Sequence, residues 1–495
     1  MNLVENFPAL VVIVPLISAV LIPPAGRISK AFAWYIAVTA SALSFAISGF
    51  LLNSVLKTGR ISYWFGNWEP PWGIEYAVDY LNGFVLVVVS FIAFVVSVYA
   101  KKSVEDEIPE NKITFFYSAY MLLVTGLLGI IITADIFNLY VFIEISSLSG
   151  YTLIASGRRK AALVASYNYL ILGTVAATFI LLGIGHLYMV TGTLNMADLA
   201  ERLPQLYHSK VVLTAFAFFT VGLSLKLALF PLHIWMPNAY TYAPSAVSAI
   251  LAATGTKVGA YALLRIMFTV FKLDFDIHVV PFTKIMLVLS SVAIIMGSVL
   301  AVAQTNIKRM LAYSSVGQIG YIVLGASLAG ETAMAGSLLH ILNHALMKGT
   351  LFLAVGAMVY RTGIEDISEL RGMGRKMPLT MAAFTIGAFS MIGVPLTVGF
   401  VSKWYIALGA LETGMWYFVP VILISSLLTA VYFWRIIENI YFKSAEHAGQ
   451  VFEAPAGMLV PTLLMAGLCI FFGTAASLPV SVAQKAAKML LAGVM

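Results

Sequence analysis

The sequence predicts an all-α polytopic membrane protein of about 14 transmembrane helices, built around two inverted five-helix repeats. Three observations carry this. The 495 residues are 61% hydrophobic and only 10% charged, far below the roughly 25% charged of soluble domains. Apolar runs of about 20 residues follow one another with little pause, each the length of a bilayer crossing. Landmarks also recur in order: Val221-Gly222-Leu223-Ser224-Leu225-Lys226 returns as Val398-Gly399-Phe400-Val401-Ser402-Lys403, Gly173-Thr174 as Gly349-Thr350, and Gly150-Tyr151 as Gly320-Tyr321. These runs show no ten-residue alternation, so helices are expected rather than barrel strands.

The spans are expected, in order, near 5–23, 31–54, 79–100, 113–133, 136–156, 162–190, 211–235, 243–270, 281–303, 308–328, 333–360, 378–410, 415–441 and 456–476. Spans 1–3 occupy residues 1–112. Spans 4–8 form a first repeat over 113–270, and spans 9–13 a second over 281–442. A last helix and short tail fill 456–495. Five crossings is an odd number, so the copies run in opposite senses, the arrangement that places two half-sites about a membrane midplane. With the N-terminus outside, the inner connections hold 16 Lys and Arg against 8 in the outer ones. That positive-inside bias puts both termini outside.

The remaining composition is quickly read. The net charge of +7 is loop charge of this kind and does not indicate a nucleic-acid partner. Cys469 is the single cysteine, which excludes disulfide frameworks and cysteine-ligated clusters. The first apolar run, Ala9 to Ile22, has no basic leader and no cleavage site and reads as a retained helix. The connection Lys57 to Asp79, with Trp64, Trp68 and Trp72, reads as an interfacial aromatic loop. The tail Ala483 to Leu491 reads as a short surface helix.

Function is sought where charge crosses the apolar interior, because each such residue costs on the order of 2.5–3.5 kcal/mol to insert. Glu144 is the one acidic residue placed centrally in a span, in a segment opened by Asp135. Lys226 is its expected partner, as a structural ion pair or as a switchable one. Lys226 precedes Pro231, and Pro395 precedes Lys403. Spans 7 and 12 are therefore expected to be broken, with freed carbonyls facing protein or water. Lys257 stands mid-span among small residues. Desolvation disfavours the charged form of a buried lysine, which suits it to load and unload a proton.

In span 11, His340, His344 and Lys348 fall at i, i+4 and i+8, on one helical face. They read as a proton relay, with structural histidines as the alternative. A metal would need a third ligand, and none is obvious. Ser314, Ser315, Gln318 and Asn343 are candidates to hold bridging water. Arg265 reads as a snorkelling or packing residue. His233, after the span-7 break, reads as part of an inner access path or as a loop cap.

The segments Asp135–Glu144, Lys226-Leu-Ala-Leu-Phe-Pro-Leu-His233, the Lys257 stretch, Ile307-Lys308-Arg309-Met-Leu-Ala-Tyr-Ser-Ser and Gly399-Phe-Val-Ser-Lys403 together resemble the antiporter-like proton-translocating subunits. These are shared by Mrp-type multisubunit sodium/proton antiporters, respiratory complex I and membrane-bound hydrogenases. The resemblance covers nearly the whole chain. It implies 14 helices with two inverted repeats, and a relay Lys226–Lys257–(His340/His344)–Lys403 with Glu144 modulating Lys226. Lysine at 403 is similar to the D-type member of Mrp antiporters and to N- and L-type complex I subunits; the short C-terminus and the segment near Glu144 look most similar to the D-type, with an N- or L-like subunit of a redox complex as the alternative. The resemblance further implies A-, B-, C-, E-, F- and G-like membrane partners, protons and Na+ as the ions, the cell membrane as location, and no cofactor, metal or nucleic acid. A solute carrier is the remaining rival, since inverted repeats serve many substrates.

Overall fold

The structure is a computed structural model that describes residues 3–444 and 452–492. The first two residues and the last three, within the 1–112 and 456–495 assignments, lie outside the described residues. Among the described residues, twelve helices are long and apolar enough to cross a membrane. The other two expected spans differ from a plain crossing. Ile307–Ser327 has the length but carries too many polar side chains, and span 12 is split into Pro378–Ile392 and Val398–Glu412.

Span 11, Glu331–Thr362, is the axis of the fold. Its most apolar stretch is entirely buried, whereas only about a third of that of Ala456–Thr474 is. A helix this polar is stable only because neighbours surround it on every side. Spans 3, 10, 12 and 14 pack on it, as does the C-terminal helix Ser477–Leu491. That last helix lays Val482, Ala483, Ala486 and Leu490 inward.

The inverted repeat is visible in the loop backbone. Asp135 caps span 5 by accepting from Asn138 N, and Asn306 caps span 10 by accepting from Arg309 N. Asp135 then bridges Asn195 after span 6, and Asn306 bridges Asp366 after span 11. Ile136 N donates to Leu194 O and Ile307 N to Glu365 O. Gly192 and Gly363 both end their helices in the left-handed conformation, at φ 71° and 69°. Every one of these pairs is 171 residues apart (306 against 135). The two staples lie at opposite ends of span 6. Arg159, at the start of that 32-residue helix, pairs with Glu365 at 2.8 Å, whereas Asn195 follows its far end. The copies therefore run in opposite senses.

The short sequence matches find this repeat but misplace its register. Against the 171-residue offset, Gly320-Tyr321 lies one residue off and Gly349-Thr350 five residues off. Another departure lies in the connection Lys57 to Asp79. It is not a plain loop: Ile61–Trp64 (β1) pairs antiparallel with Glu75–Val78 (β2). Trp68 and Trp72 stay exposed, but all four residues of β2 are buried, and Tyr76 bridges Thr133. Four-residue strands leave too little alternation to be read beforehand.

Candidate proton-relay site

The two broken helices put lysines beside free backbone carbonyls. Span 7 ends at Leu227, where Ala228 turns left-handed at φ 60°, and the chain resumes as the helix Trp235–Tyr242. Trp235 Nε1 donates to Leu225 O at 3.0 Å and ties the two pieces together. Lys226 sits in the last turn, and its ammonium donates to Ser147 Oγ at 2.7 Å. Glu144 lies one turn earlier on span 5. Its Oε1 is buried without a hydrogen-bond partner, and no Glu144–Lys226 contact at ion-pair distance is present among the described residues. A cavity of about 40 Å³ borders Lys226, Ser147, Gly255 and Gly259, room for a water or two.

Span 12 repeats the design. Its first half ends at Ile392, Gly393 turns at φ 92°, and Lys403 reaches back into the gap. Lys403 Nζ donates to Met391 O at 2.9 Å, Ile392 O at 3.0 Å and Ser426 Oγ at 3.0 Å. It also lies 5.0 Å over the Tyr321 ring. Asn343 of span 11 holds the second half in place by donating to Val398 O, so its amide serves the break.

Between the breaks, Lys257 is wholly buried on span 8. Leu251–Gly255 forms a π-helical turn ahead of it, and the Lys257 ammonium donates to the carbonyl of Ala252 and lies 3.4 Å from Thr256 Oγ1. Such a turn leaves carbonyls without their usual partners, and these turns gather at functional sites. On span 11, His340 Nδ1 is 2.8 Å from Ser402 Oγ, and Nε2 is 3.0 Å from Gln318 Oε1. A neutral ring with its proton on Nε2 satisfies both. His344 stacks on His340 at 5.9 Å, and both its ring nitrogens are buried without a protein partner. Lys348 donates to Leu311 O at 2.7 Å and to Ser314 Oγ. The Tyr321 ring lies 5.5 Å from His340 and so adjoins both that histidine and Lys403. Among the described residues, no three His, Cys, Asp or Glu side chains converge as metal ligands would.

Of the secondary residues, Asp135 is the cap of span 5 at the staple. His233 is buried in the span-7 break, stacked on Phe230 and edge-on to Tyr313 of span 10. For two groups the structure supplies a partner that the sequence does not show. Arg265 does not snorkel: it is buried and forks onto Asp79, with Nη1–Oδ2 at 2.7 Å and Nη2–Oδ1 at 3.0 Å. Lys308, one of the 16 inner-connection charges expected from the sequence, is buried against Glu365 at 3.5 Å and Ser245 Oγ at 3.2 Å. In both cases the partner is far off in the chain, and no local signal announces it.

The comparisons agree with this fold. Residues 133–429 match the family described as NADH:quinone oxidoreductase/Mrp antiporter, TM. The chain is 46% identical over 475 residues to the N-type subunit of the NADH-quinone oxidoreductase of Desulforudis audaxviator, covering 93% of this chain and 94% of that one. It is 30% identical over 471 residues to the D-type subunit of the Na(+)/H(+) antiporter of Bacillus subtilis, covering 95% and 94%. A chain of the membrane-bound sulfane sulfur reductase, an archaeal respiratory membrane complex, superposes with a TM-score of 0.90 at 32% identity, covering 99% of both. A chain of the Mrp complex from Dietzia sp. has the same fold, with a TM-score of 0.90 at 24% identity, covering 100% of this chain and 98% of that one. This multi-pass membrane chain belongs to the NADH:quinone oxidoreductase/Mrp antiporter transmembrane family.

Proposed function

We propose that this chain is the proton-translocating, D-like subunit of a multisubunit cation/proton antiporter in the cell membrane. Its relay runs Lys226–Lys257–(His340/His344)–Lys403, with Glu144 and Ser147 setting the state of Lys226. One observation carries the reading: buried titratable side chains line the interior from one broken helix to the other. Serine, threonine and glutamine hydroxyls and amides, together with the carbonyls freed at the breaks, supply places for a proton or a water between them. A cation inside a span costs on the order of 2.5–3.5 kcal/mol to insert, and this chain places Lys226, Lys257, Lys348 and Lys403 there.

Sodium is the proposed counter-ion, and A-, B-, C-, E-, F- and G-like membrane subunits are the proposed partners. The role is translocation, with both termini outside. A second reading, a proton-pumping membrane-arm subunit of a redox complex, is favoured by the 46% identity to an N-type subunit of an NADH-quinone oxidoreductase. The deciding experiment is dye-reported proton movement in everted vesicles bearing the whole complex. Response to sodium supports the antiporter, and response only to a reductant supports the pump. Lys226→Ala should abolish either response while assembly survives; unchanged transport would remove Lys226 from the mechanism.

A further inference from the structure

We propose that a second route to the outer face leaves the relay at its centre. It runs from Lys257 along span 8 past Tyr261 to the Asp79–Arg265 pair, and out through the cavity that this pair closes. The inference rests on the proton-relay reading above and on the outer assignment of the face that carries Asp79.

Lys257, Tyr261 and Arg265 stand at i, i+4 and i+8, so they share one helical face over roughly 12 Å of rise. The Tyr261 hydroxyl accepts from Arg265 Nε at 3.2 Å and donates to Ile131 O at 2.6 Å, where span 4 runs out. Arg265 then forks onto Asp79, whose Oδ1 also accepts from Leu81 N and Asn82 N. Both members of the pair are less than a tenth exposed.

Immediately beyond lies a cavity of about 490 Å³, lined by Arg60, Asp79, Thr133, Arg265, Thr269 and Lys272 among others. That is space for on the order of ten or more waters, in a largely apolar wall where Arg60, Asp79, Asn82, Thr133, Thr269 and Lys272 supply the polar groups to hold them. Arg60 is neutralised by Glu75 at 3.1 Å as Arg265 is by Asp79, so the wall does not present a cluster of unpaired acids that would trap a cation. A cap for span 3 needs only the two backbone bonds to Asp79. Burying an arginine on the same carboxylate, at the floor of a cavity and on the helix that carries Lys257, is what a gate requires.

In the step itself, an Nζ–H bond of Lys257 breaks and the proton joins water, leaving a neutral amine. The proton then passes the Tyr261 hydroxyl by successive hydrogen-bond exchange and ends on cavity water. The Asp79–Arg265 pair must part for that chain of water to connect. No oxidant or reductant is needed. Tyr261 hands the proton on, and Arg265 and Asp79 act here as positioning residues that control access.

The test uses the assembled complex with Cys469→Ser as background. Thr269→Cys and, separately, Ala197→Cys place a thiol on two walls of the cavity; Ala197 is exposed there, on the short helix Met196–Arg202, so at least one variant is expected to assemble. A bulky, charged, membrane-impermeant methanethiosulfonate is added to right-side-out vesicles, and proton transport is read by dye. The expected result is labelling from the outside, none from the inside, and a severalfold fall in transport once labelled. Absence of outside labelling, labelling from the inside only, or full labelling with unchanged transport would each overturn the route. The failures are separable. If Lys226→Ala is inactive while the blocked cavity leaves transport intact, only this route is lost; if Lys226→Ala is itself active, the relay reading falls.

Discussion

The ammonium of Lys226 lies 2.7 Å from the hydroxyl of Ser147, not against the carboxyl of Glu144 one turn away. The lysine can therefore exchange a proton with the small cavity beside it without breaking a buried ion pair. Lys226→Ala should lower transport by about a hundredfold, in the range of a lost acid–base group. Ser147→Ala removes one hydrogen bond of about 1 kcal/mol and should lower it about fivefold. Glu144→Gln should fall between them. Dye response in everted vesicles, at matched complex abundance, checks the order; a Ser147→Ala effect as large as that of Lys226→Ala would contradict it.

Lys403 satisfies the carbonyls of Met391 and Ile392 at the span-12 break as well as facing Tyr321. Lys403→Met should therefore cost stability as well as transport, about 1–3 kcal/mol for carbonyls left unpaired in the interior. A thermal melt of the purified complex would show the loss. An unshifted melting temperature would mean that water replaces the ammonium without penalty.

Gly399 opens the second half of the broken span, where an added Cβ would lie 1.7 Å from Ser390 O. That oxygen is backbone and cannot swing away. Gly399→Ala should push the two half-helices apart, at about 1–3 kcal/mol, and move Lys403 off its carbonyls. Both readouts, melting temperature and transport, should drop together.

Outside the spans, burial alone would raise the Glu365 carboxyl, but the hydrogen bond from Arg159 and the charges of Lys308 and Arg159 hold it below its ordinary value of 4.5. A depressed carboxylate contributes stability that is present above the unfolded-state pKa and lost as pH falls through the folded one. Glu365→Gln should be less stable than the parent at pH 7 by about 1.5–3 kcal/mol. The difference should begin to shrink as pH falls below 4.5 and vanish once the parent carboxyl is protonated. Melting temperatures of both proteins from pH 7 downward check this. A constant gap would mean that the partners of Glu365 do not depend on its charge.

The 171-residue offset also explains where the halves differ. On it, Ser315 stands where Glu144 does, Gln318 where Ser147 does, and His340 where Tyr169 does. The first half thus carries its acid on span 5. The second carries its titratable group on span 11, with Gln318 taking the place of the serine hydroxyl. One ancestral cage, filled differently, gives two unequal ends to the proposed relay.

The linear sequence was enough for the crossing helices, the broken spans 7 and 12 and the list of charges inside them. Hydropathy, proline and helical periodicity are local properties that act over a few residues, so they are legible along the chain. Packing alone decided that Lys226 turns to Ser147, that Arg265 finds Asp79 across 186 residues, and that a buried Lys308 clamps Glu365. Which partner meets a charge depends on which helices lie side by side, and a short motif leaves that register free by several residues.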